Sequence, residues 1–584
     1  MKQYLASILV IATCLGILSC AKQSSPMGGP KDEAPPELVT LDPKNETTNI
    51  SPSEISLTFN EFVKLENPNK QIIITPKINV DEVEFLATRN RVNIKLNQEL
   101  EENTTYVFNF QKSIQDITES NPIENLKLVF STGDEIDSLK VSGKIAYIFP
   151  PKEKEIKDVL VGLYEDADTT DLFTAPPYYI AQTDTAGNFE ITNIKAGRYR
   201  VYAWYDDNNS LKAEYKTEPY GFLEEPLDVY EDVDNIHINL FKGDLSELKI
   251  NRTGTTGTNF DIILSKPPLE YEIIHEDINE KMYYRLSDKN LRLYHTSLRE
   301  DSTEVNLRIR DSVGFSIDTT LYAKFMESDR KKEELEISTN SGKSFLKTIR
   351  SEWKLNKPLK SLNYDSLLIK YDTAGIIQIK PENVYLTDSL KRTKFIIEIE
   401  IPDSLKFETY KVYVGDSTIQ DIEEVYNKDK IEANYKKLKE DRLADGLSGK
   451  INTEENPIIL QLLNKNGEIL QEKYITEGNS FIFDRIEASE YRLRAIIDRN
   501  KNRRWDTGNY YEKRQPEPVY FFYDSENKSQ EIMLRGGWTL TDLLIDTRRD
   551  TGIYGKPKED QPIDDEIKLE WPEITEKDLA ALNP

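Results

Sequence analysis

Two cysteines and three histidines in 584 residues remove most catalytic and metal chemistry at the outset. Both thiols, Cys14 and Cys20, lie within the first twenty residues, so the rest of the chain has no disulfide framework and no cysteine-based zinc site. His237, His275 and His295 lack the spacing of a helical metal pair, and no His-Glu-x-x-His run occurs. His237 sits between Ile236 and Ile238 in a strand-like pattern, where a surface imidazole is expected. There is no Gly-x-Ser-x-Gly elbow and no glycine-rich phosphate loop. Glycoside hydrolysis needs two carboxylates about 5 to 10 Å apart across a cleft, and among 103 acidic residues none stands out as such a pair. Positive charge is also short: 76 Lys and Arg leave a formal net charge of −27. That balance offers no basic face for nucleic acid. Taken together, these absences predict a chain that is not an enzyme.

What is present begins with an export signal. Lys2 is followed by an apolar run from Leu5 to Leu18, broken only by Ser7, Thr13, Cys14 and Gly16. The run is shorter than the about 20 residues that cross a bilayer, but it suits the h-region of a signal peptide. Ile17-Leu18-Ser19-Cys20 then has the aliphatic, apolar, small, cysteine order of a lipobox. Residues 1–19 are expected to be a lipoprotein signal peptide and Cys20 the acylated residue, making the membrane a partner through an N-terminal lipid anchor. Each buried methylene of such an anchor contributes about 0.8 kcal/mol. Residues 20–36, rich in Gly, Pro and Ser, read as a flexible tether. The expected location is the outer membrane. Its periplasmic face is preferred over the cell surface because Ala21-Lys-Gln-Ser24 carries no acid.

From Glu37 the apolar period becomes two. Ile55, Leu57 and Phe59 alternate with polar residues, as do Val92, Ile94 and Leu96, then Tyr106, Phe108 and Phe110, then Leu126, Leu128 and Phe130. Such alternation marks strands with one buried face. About seven of them fit before Gly133, which predicts an immunoglobulin-like sandwich. A second β unit opens with Val141-Ser-Gly-Lys-Ile145, continues through the apolar Val159 to Tyr164, and turns at Asp184-Thr-Ala-Gly-Asn-Phe189. Both units recur. Leu447-Ser-Gly-Lys-Ile451 echoes the opening of the second unit, and Phe481 to Tyr491 matches Phe189 to Tyr199 at a constant offset of 292. Ser113-Ile-Gln-Asp-Ile117 likewise matches Thr418-Ile-Gln-Asp-Ile422. The predicted fold class is all-β, a multi-domain tandem of antiparallel β-sandwiches. The expected divisions are 37–134 (Ig-like), 138–243 (second type), 244–330 (a further β domain), 335–440 (Ig-like), 445–537 (second type) and an acidic C-terminal tail over 538–584.

Two sets of residues are candidate binding sites. Asp498, Asn500, Asn502 and Asp506 place side-chain oxygens at positions 1, 3, 5 and 9 of one loop, and Asp206, Asn208, Ser210 and Glu214 do the same in the earlier copy. Alternate spacing can aim several oxygens at one hard cation, so calcium is the candidate metal. The glycine and the bidentate Glu that complete such a loop are absent, with Arg503 and Asn509 in their places. Asp and Asn also build turns by hydrogen-bonding their own backbone. The second set is aromatic: Trp505, Tyr510 and Tyr511 would form a platform for a glycan or peptide, or else fill a core.

The residues also resemble known families. Pro35-Pro36, Phe59-Asn-Glu-Phe-Val63, Leu100-Glu-Glu-Asn-Thr-Thr-Tyr106, Gln115-Asp116 and Phe130-Ser-Thr-Gly133 together resemble a bacterial Ig-like domain of the S-layer (SbsA) type. Asp184-x-x-Gly-x-Phe189 with Gly197-x-Tyr199 resembles the transthyretin-like, carboxypeptidase-regulatory-type β-sandwich. The second copies depart from that pattern: Ser489 replaces the glycine at 197, and Gly478-Asn-Ser-Phe481 lacks the turn aspartate. With Gly28-Gly-Pro-Lys-Asp32 after the lipid cysteine, the whole is similar to Ig-like-domain lipoproteins of Gram-negative envelopes. The resemblance implies a non-catalytic structural or binding scaffold with an envelope protein or glycan as partner. A surface adhesin or carbohydrate-binding lipoprotein is the first alternative, and an accessory carboxylate hydrolase the second.

Overall fold

Period-two segments fold as strands, and opposing sheets close over their apolar faces. The computed structural model describes residues 33–124, 126–149 and 159–547. The expected signal peptide, Cys20, most of the tether and residues 548–584 lie outside the described residues. Strands dominate throughout, the sheets are mostly antiparallel, and the tandem β-sandwich architecture is as expected.

In the first sandwich, Leu38–Asp42, Glu54–Phe59, Arg91–Leu96 and Val83–Thr88 form one sheet in that order, and Ile73–Thr75, Thr105–Asn109 and Lys127–Ser131 form the other. The predicted alternation sets which residues meet between them. Ile55, Leu57, Phe59, Val92, Ile94, Phe108, Leu128 and Phe130 are all buried in one cluster. The repeated Ile-Gln-Asp segment is a short strand, Ile114–Asp116, paired with Val63–Leu65. Its counterpart Ile419–Asp421 pairs with Leu359–Leu362 in the fourth sandwich. There Thr348–Leu355 and Lys394–Glu400 are central strands, and Trp353 stacks on Phe395 at 5.9 Å in the core.

The second and fifth sandwiches share one topology. Leu139–Tyr147 lies between Asn188–Ile194 and Val233–Leu240, antiparallel to the first and parallel to the second. Leu443–Asn452 lies between Ser480–Glu487 and Thr539–Asp546 in the same senses. The glycine repeated in Val141-Ser-Gly-Lys-Ile145 and Leu447-Ser-Gly-Lys-Ile451 has a physical cause. A Cβ on Gly143 would stand 2.0 Å from the carbonyl oxygen of Ile236, and one on Gly449 would stand 2.0 Å from that of Leu543. At both places the parallel ladder slips register, and the neighbouring strand turns through a left-handed residue, Asn235 or Asp542. This pairing corrects the expected tail over 538–584. Its first residues, Thr539–Asp546, are a sheet strand that buries Ile545. The bulge breaks the alternation that would have announced it.

Residues 244–330 also form a sandwich. Ile250–Thr256, Asn259–Leu264, Asn290–His295 and Met282–Ser287 make one sheet, and Glu270–Ile274, Arg299–Arg310 and Ser316–Phe325 the other. Phe260, Ile262, Leu293, Val305 and Leu307 fill the space between.

Candidate functional site

The two Asp/Asn loops have the same backbone and spend their oxygens in the same way. Each begins where a central strand ends, Gly197–Tyr205 or Glu490–Ile497. Asp206 accepts from the backbone N–H of Ser210 and Leu211, and Asp498 from that of Asn502 and Arg503. Asn208 and Asn500 each accept from the residue two further on. Alternating left-handed residues shape both turns: Asn209 and Leu211, then Lys501 and Arg503. A buried glutamate just ahead of the next strand closes each loop. Glu218 receives the N–H of Asp207 and Glu214, while Glu517 receives those of Asn500 and Asp506. Burial pushes both glutamates above the usual carboxylate range, with the backbone donors pulling the other way.

Asp506 accepts from the side-chain amides of Asn500 and Asn502 and lies 3.5 Å from the Arg504 Nε, so the protein's own donors face it. Among the described residues no group of three or more His, Cys, Asp or Glu side chains is placed to hold a metal ion. The eight oxygen-bearing residues proposed for calcium build capped turns here, and Glu214 turns its carboxylate to the Asn208 amide.

The three aromatic candidates do not form an exposed platform. Tyr510 is 6 % exposed, Trp505 is partly buried, and only Tyr511 stands largely in solvent at 62 %. The loop carrying them docks the fifth sandwich onto the second. Tyr510 packs edge-on against Phe173, Tyr202 and Phe222, and its hydroxyl reaches Asp171 and the Tyr202 hydroxyl. Trp505 meets Phe149 at 4.7 Å and donates its indole N–H to the Glu517 carbonyl. Polar contacts border this seam. Thr507 donates to the Lys242 carbonyl, Asn509 to that of Val313 and Gln515 to that of Phe222. The chain therefore folds back, and its fifth sandwich is braced against the second and third.

Beside the seam lies a cleft of about 1350 Å³. One wall is the outer face of the three-stranded sheet, with Ser142, Lys144, Asn188, His237 and Asn239; the other includes Arg499, Gln515 and Tyr520. Asp184 on its rim is occupied by its own turn, accepting from Ala186 and Asn188.

Sequence reasoning missed two buried charge pairs and a buried His–Asp contact. Lys266 lies 2.5 Å from Asp311 and also donates to the carbonyls of Asp244 and Ser246. Lys357 lies 2.5 Å from Asp421 and 3.1 Å from Glu423. His295 meets Asp277 at 3.2 Å, and this bond, with Lys281 nearby, holds Asp277 below the usual carboxylate range. Burial alone would raise the Asp116 carboxyl. Donors from Glu119, Asn121, Thr118 and Ser120 outweigh it and hold the group at about 2. The only advance signal for this set was the repeated Gln-Asp pair, which places Asp116 and Asp421 at equivalent buried positions.

Two family matches agree with the β-sandwich fold. Residues 32–132 match the bacterial Ig-like domain family, and residues 157–213 match domain II of polysaccharide lyase family 4, an fn3-like domain. No curated protein matches the chain. Among solved structures, the Bacillus anthracis TIE protein is similar over 90 % of this chain and 76 % of its own at 8 % identity, with a TM-score of 0.12. The human Desmocollin-1 ectodomain is similar over 51 % of this chain and 60 % of its own, at 10 % identity and a TM-score of 0.14. The T6 backbone pilin of serotype M6 Streptococcus pyogenes is similar over 70 % and 98 %, at 7 % identity and a TM-score of 0.12.

Proposed function

We propose that this chain is a lipid-anchored, non-catalytic scaffold of the bacterial cell envelope, held at the outer membrane through Cys20 and facing the periplasm. The observation that carries the proposal is the fold-back seam around Tyr510, which braces the sandwiches against one another. A braced body suits a part that holds other components at fixed distance. Tandem Ig-like and fn3-like domains fit a structural or binding role. The carboxylates and imidazoles brought together inside the fold are engaged in turns and ion pairs, which supports a role without catalysis. The second and fifth sandwiches are read as transthyretin-like and the first as SbsA-type.

Fatty-acid labelling of the wild type and of Cys20→Ser tests the anchor: label is expected on the first and not the second, and an unlabelled wild type overturns it. Protease shaving of intact cells tests the placement. Protection of the fifth sandwich that vanishes on lysis is expected, and rapid loss from intact cells overturns the periplasmic assignment in favour of an adhesin. A second reading, glycan binding, is favoured by the cleft, whose lining combines amides (Asn188, Asn239, Gln515) with the rings of Tyr147 and Tyr520. Titration with envelope oligosaccharides tests it, and an unchanged signal with Gln515→Ala refutes it.

A further inference from the structure

Strand register gives the outer face of the third sandwich an unusual pairing. Arg285 stands directly opposite Arg292, with Tyr283 opposite Tyr294 on the same face. Like charges facing each other across a ladder repel, so this pair needs an anion. Asp261 on the adjacent strand supplies one, 2.6 Å from Arg292 Nε. The second comes from the irregular segment between the third and fourth sandwiches. One oxygen of Glu333 lies 3.5 Å from Arg285 Nη1 and 3.2 Å from Arg292 Nη1. Both arginines are largely buried, whereas the Glu333 side chain is 41 % exposed. The sandwich thus builds a fixed oxyanion position that a replaceable carboxylate fills.

The space around that position is not used up. A cavity of about 380 Å³ is lined by both arginines and also by Arg330, Lys331 and Lys332. In a chain of net charge −27, such a gathering of cations runs against the prevailing sign. Lys332 donates to the Glu423 carbonyl, while Arg330 is exposed and makes no side-chain ion pair among the described residues.

We propose that this cavity binds an oxyanion, the carboxylate, phosphate or sulfate group of a larger ligand, which replaces Glu333 between Arg285 and Arg292. Guanidinium forks match such groups in shape and charge, and Arg330, which lines the same cavity, supplies donors that Glu333 does not take. Glu333 is then an internal competitor. Its backbone carbonyl, held 2.6 Å from Lys357 Nζ, keeps the segment in place when its side chain is displaced.

The test is calorimetric titration of the full-length chain in detergent with inorganic phosphate, sulfate and glucuronate at constant ionic strength. The wild type is expected to bind at least one of the three, and the strongest identifies the source as a phosphate group, a sulfate ester or an acidic sugar. Glu333→Gln removes the competitor and is expected to tighten binding about tenfold, the worth of one charge-assisted contact. Arg285→Gln is expected to weaken it by a similar factor. Arg330→Gln, a solvent-exposed change that leaves the fold untouched, is expected to weaken it several-fold. Absence of heat with all three anions in both wild type and Glu333→Gln overturns the proposal. So does equal affinity of wild type, Glu333→Gln and Arg330→Gln.

Discussion

Replacing Tyr510 with alanine removes the centre of the seam without entering the core of either sandwich it joins. Tyr510 belongs to the cluster with Phe222, Trp204 and Val313, while the fifth sandwich has its own core around Leu460, Leu493 and Ile545. A tyrosine buries about 200 Å², and at about 25 cal/mol per Å² the loss is about 5 kcal/mol, an upper value because the undocked loop keeps part of its contacts. The hydroxyl adds about 1 kcal/mol through Asp171 and Tyr202. Tyr510→Phe should therefore cost about 1 kcal/mol and Tyr510→Ala about 3 to 5 kcal/mol. The cost should appear as undocking rather than unfolding. Small-angle scattering should show a larger radius of gyration for the alanine variant. Hydrogen exchange should rise at residues 503–515 and 171–173 while Leu460 and Leu493 stay protected. The Phe173→Ala change should be non-additive with it by about 1 kcal/mol, since the two rings touch at 5.2 Å. An unchanged radius and unchanged exchange in Tyr510→Ala would refute the claim that this ring holds the molecule folded back.

Three further outcomes are expected. Gly449→Ala forces a Cβ against the Leu543 carbonyl and should destabilise the fifth sandwich by about 3 kcal/mol or more, read by urea unfolding, with Gly143→Ala doing the same to the second. Lys357→Met strands Asp421 and Glu423 as buried unpaired carboxylates and should cost about 3 to 5 kcal/mol at neutral pH, again by urea unfolding. Asp116 is held down from an ordinary 3.8 to about 2, so its contribution is present above pH 3.8 and is lost as pH falls through 2. Asp116→Asn should lower stability at neutral pH and flatten the acid limb of the fluorescence-monitored pH titration between those values.

Much of the fold could be read from spacing because the sheets each show one face to a core. Ile55, Leu57 and Phe59 announce their strand, and the Ser-Gly-Lys repeat announces a unit that recurs, although the bulge its glycine serves shows only in the structure. The seam could not be read that way. Tyr510 in a docked loop and a tyrosine on a sugar platform are written identically, since only the partner surface distinguishes them. The Asp498 loop is ambiguous for the same reason. Oxygens at alternate positions suit a cation or a chain of N–H donors, and the structure shows those of Asp498, Asn500 and Asn502 on backbone N–H groups and that of Asp506 on side-chain amides. Lys357, Asp421 and Glu423 lie in separate segments, and no local pattern links them.

The parallel pairing of first and last strands has a mechanical consequence. Tension entering the second sandwich at Leu139 and leaving at Leu240 runs along Leu139–Tyr147 and Val233–Leu240 in opposite directions, sliding one past the other. In that geometry every rung from Val141 to Tyr147 is stretched at once, whereas a hairpin pulled from its open end parts one rung at a time. The fifth sandwich repeats the arrangement between Leu443–Asn452 and Thr539–Asp546. Both copies thus carry a pull along the chain as shear across a parallel ladder.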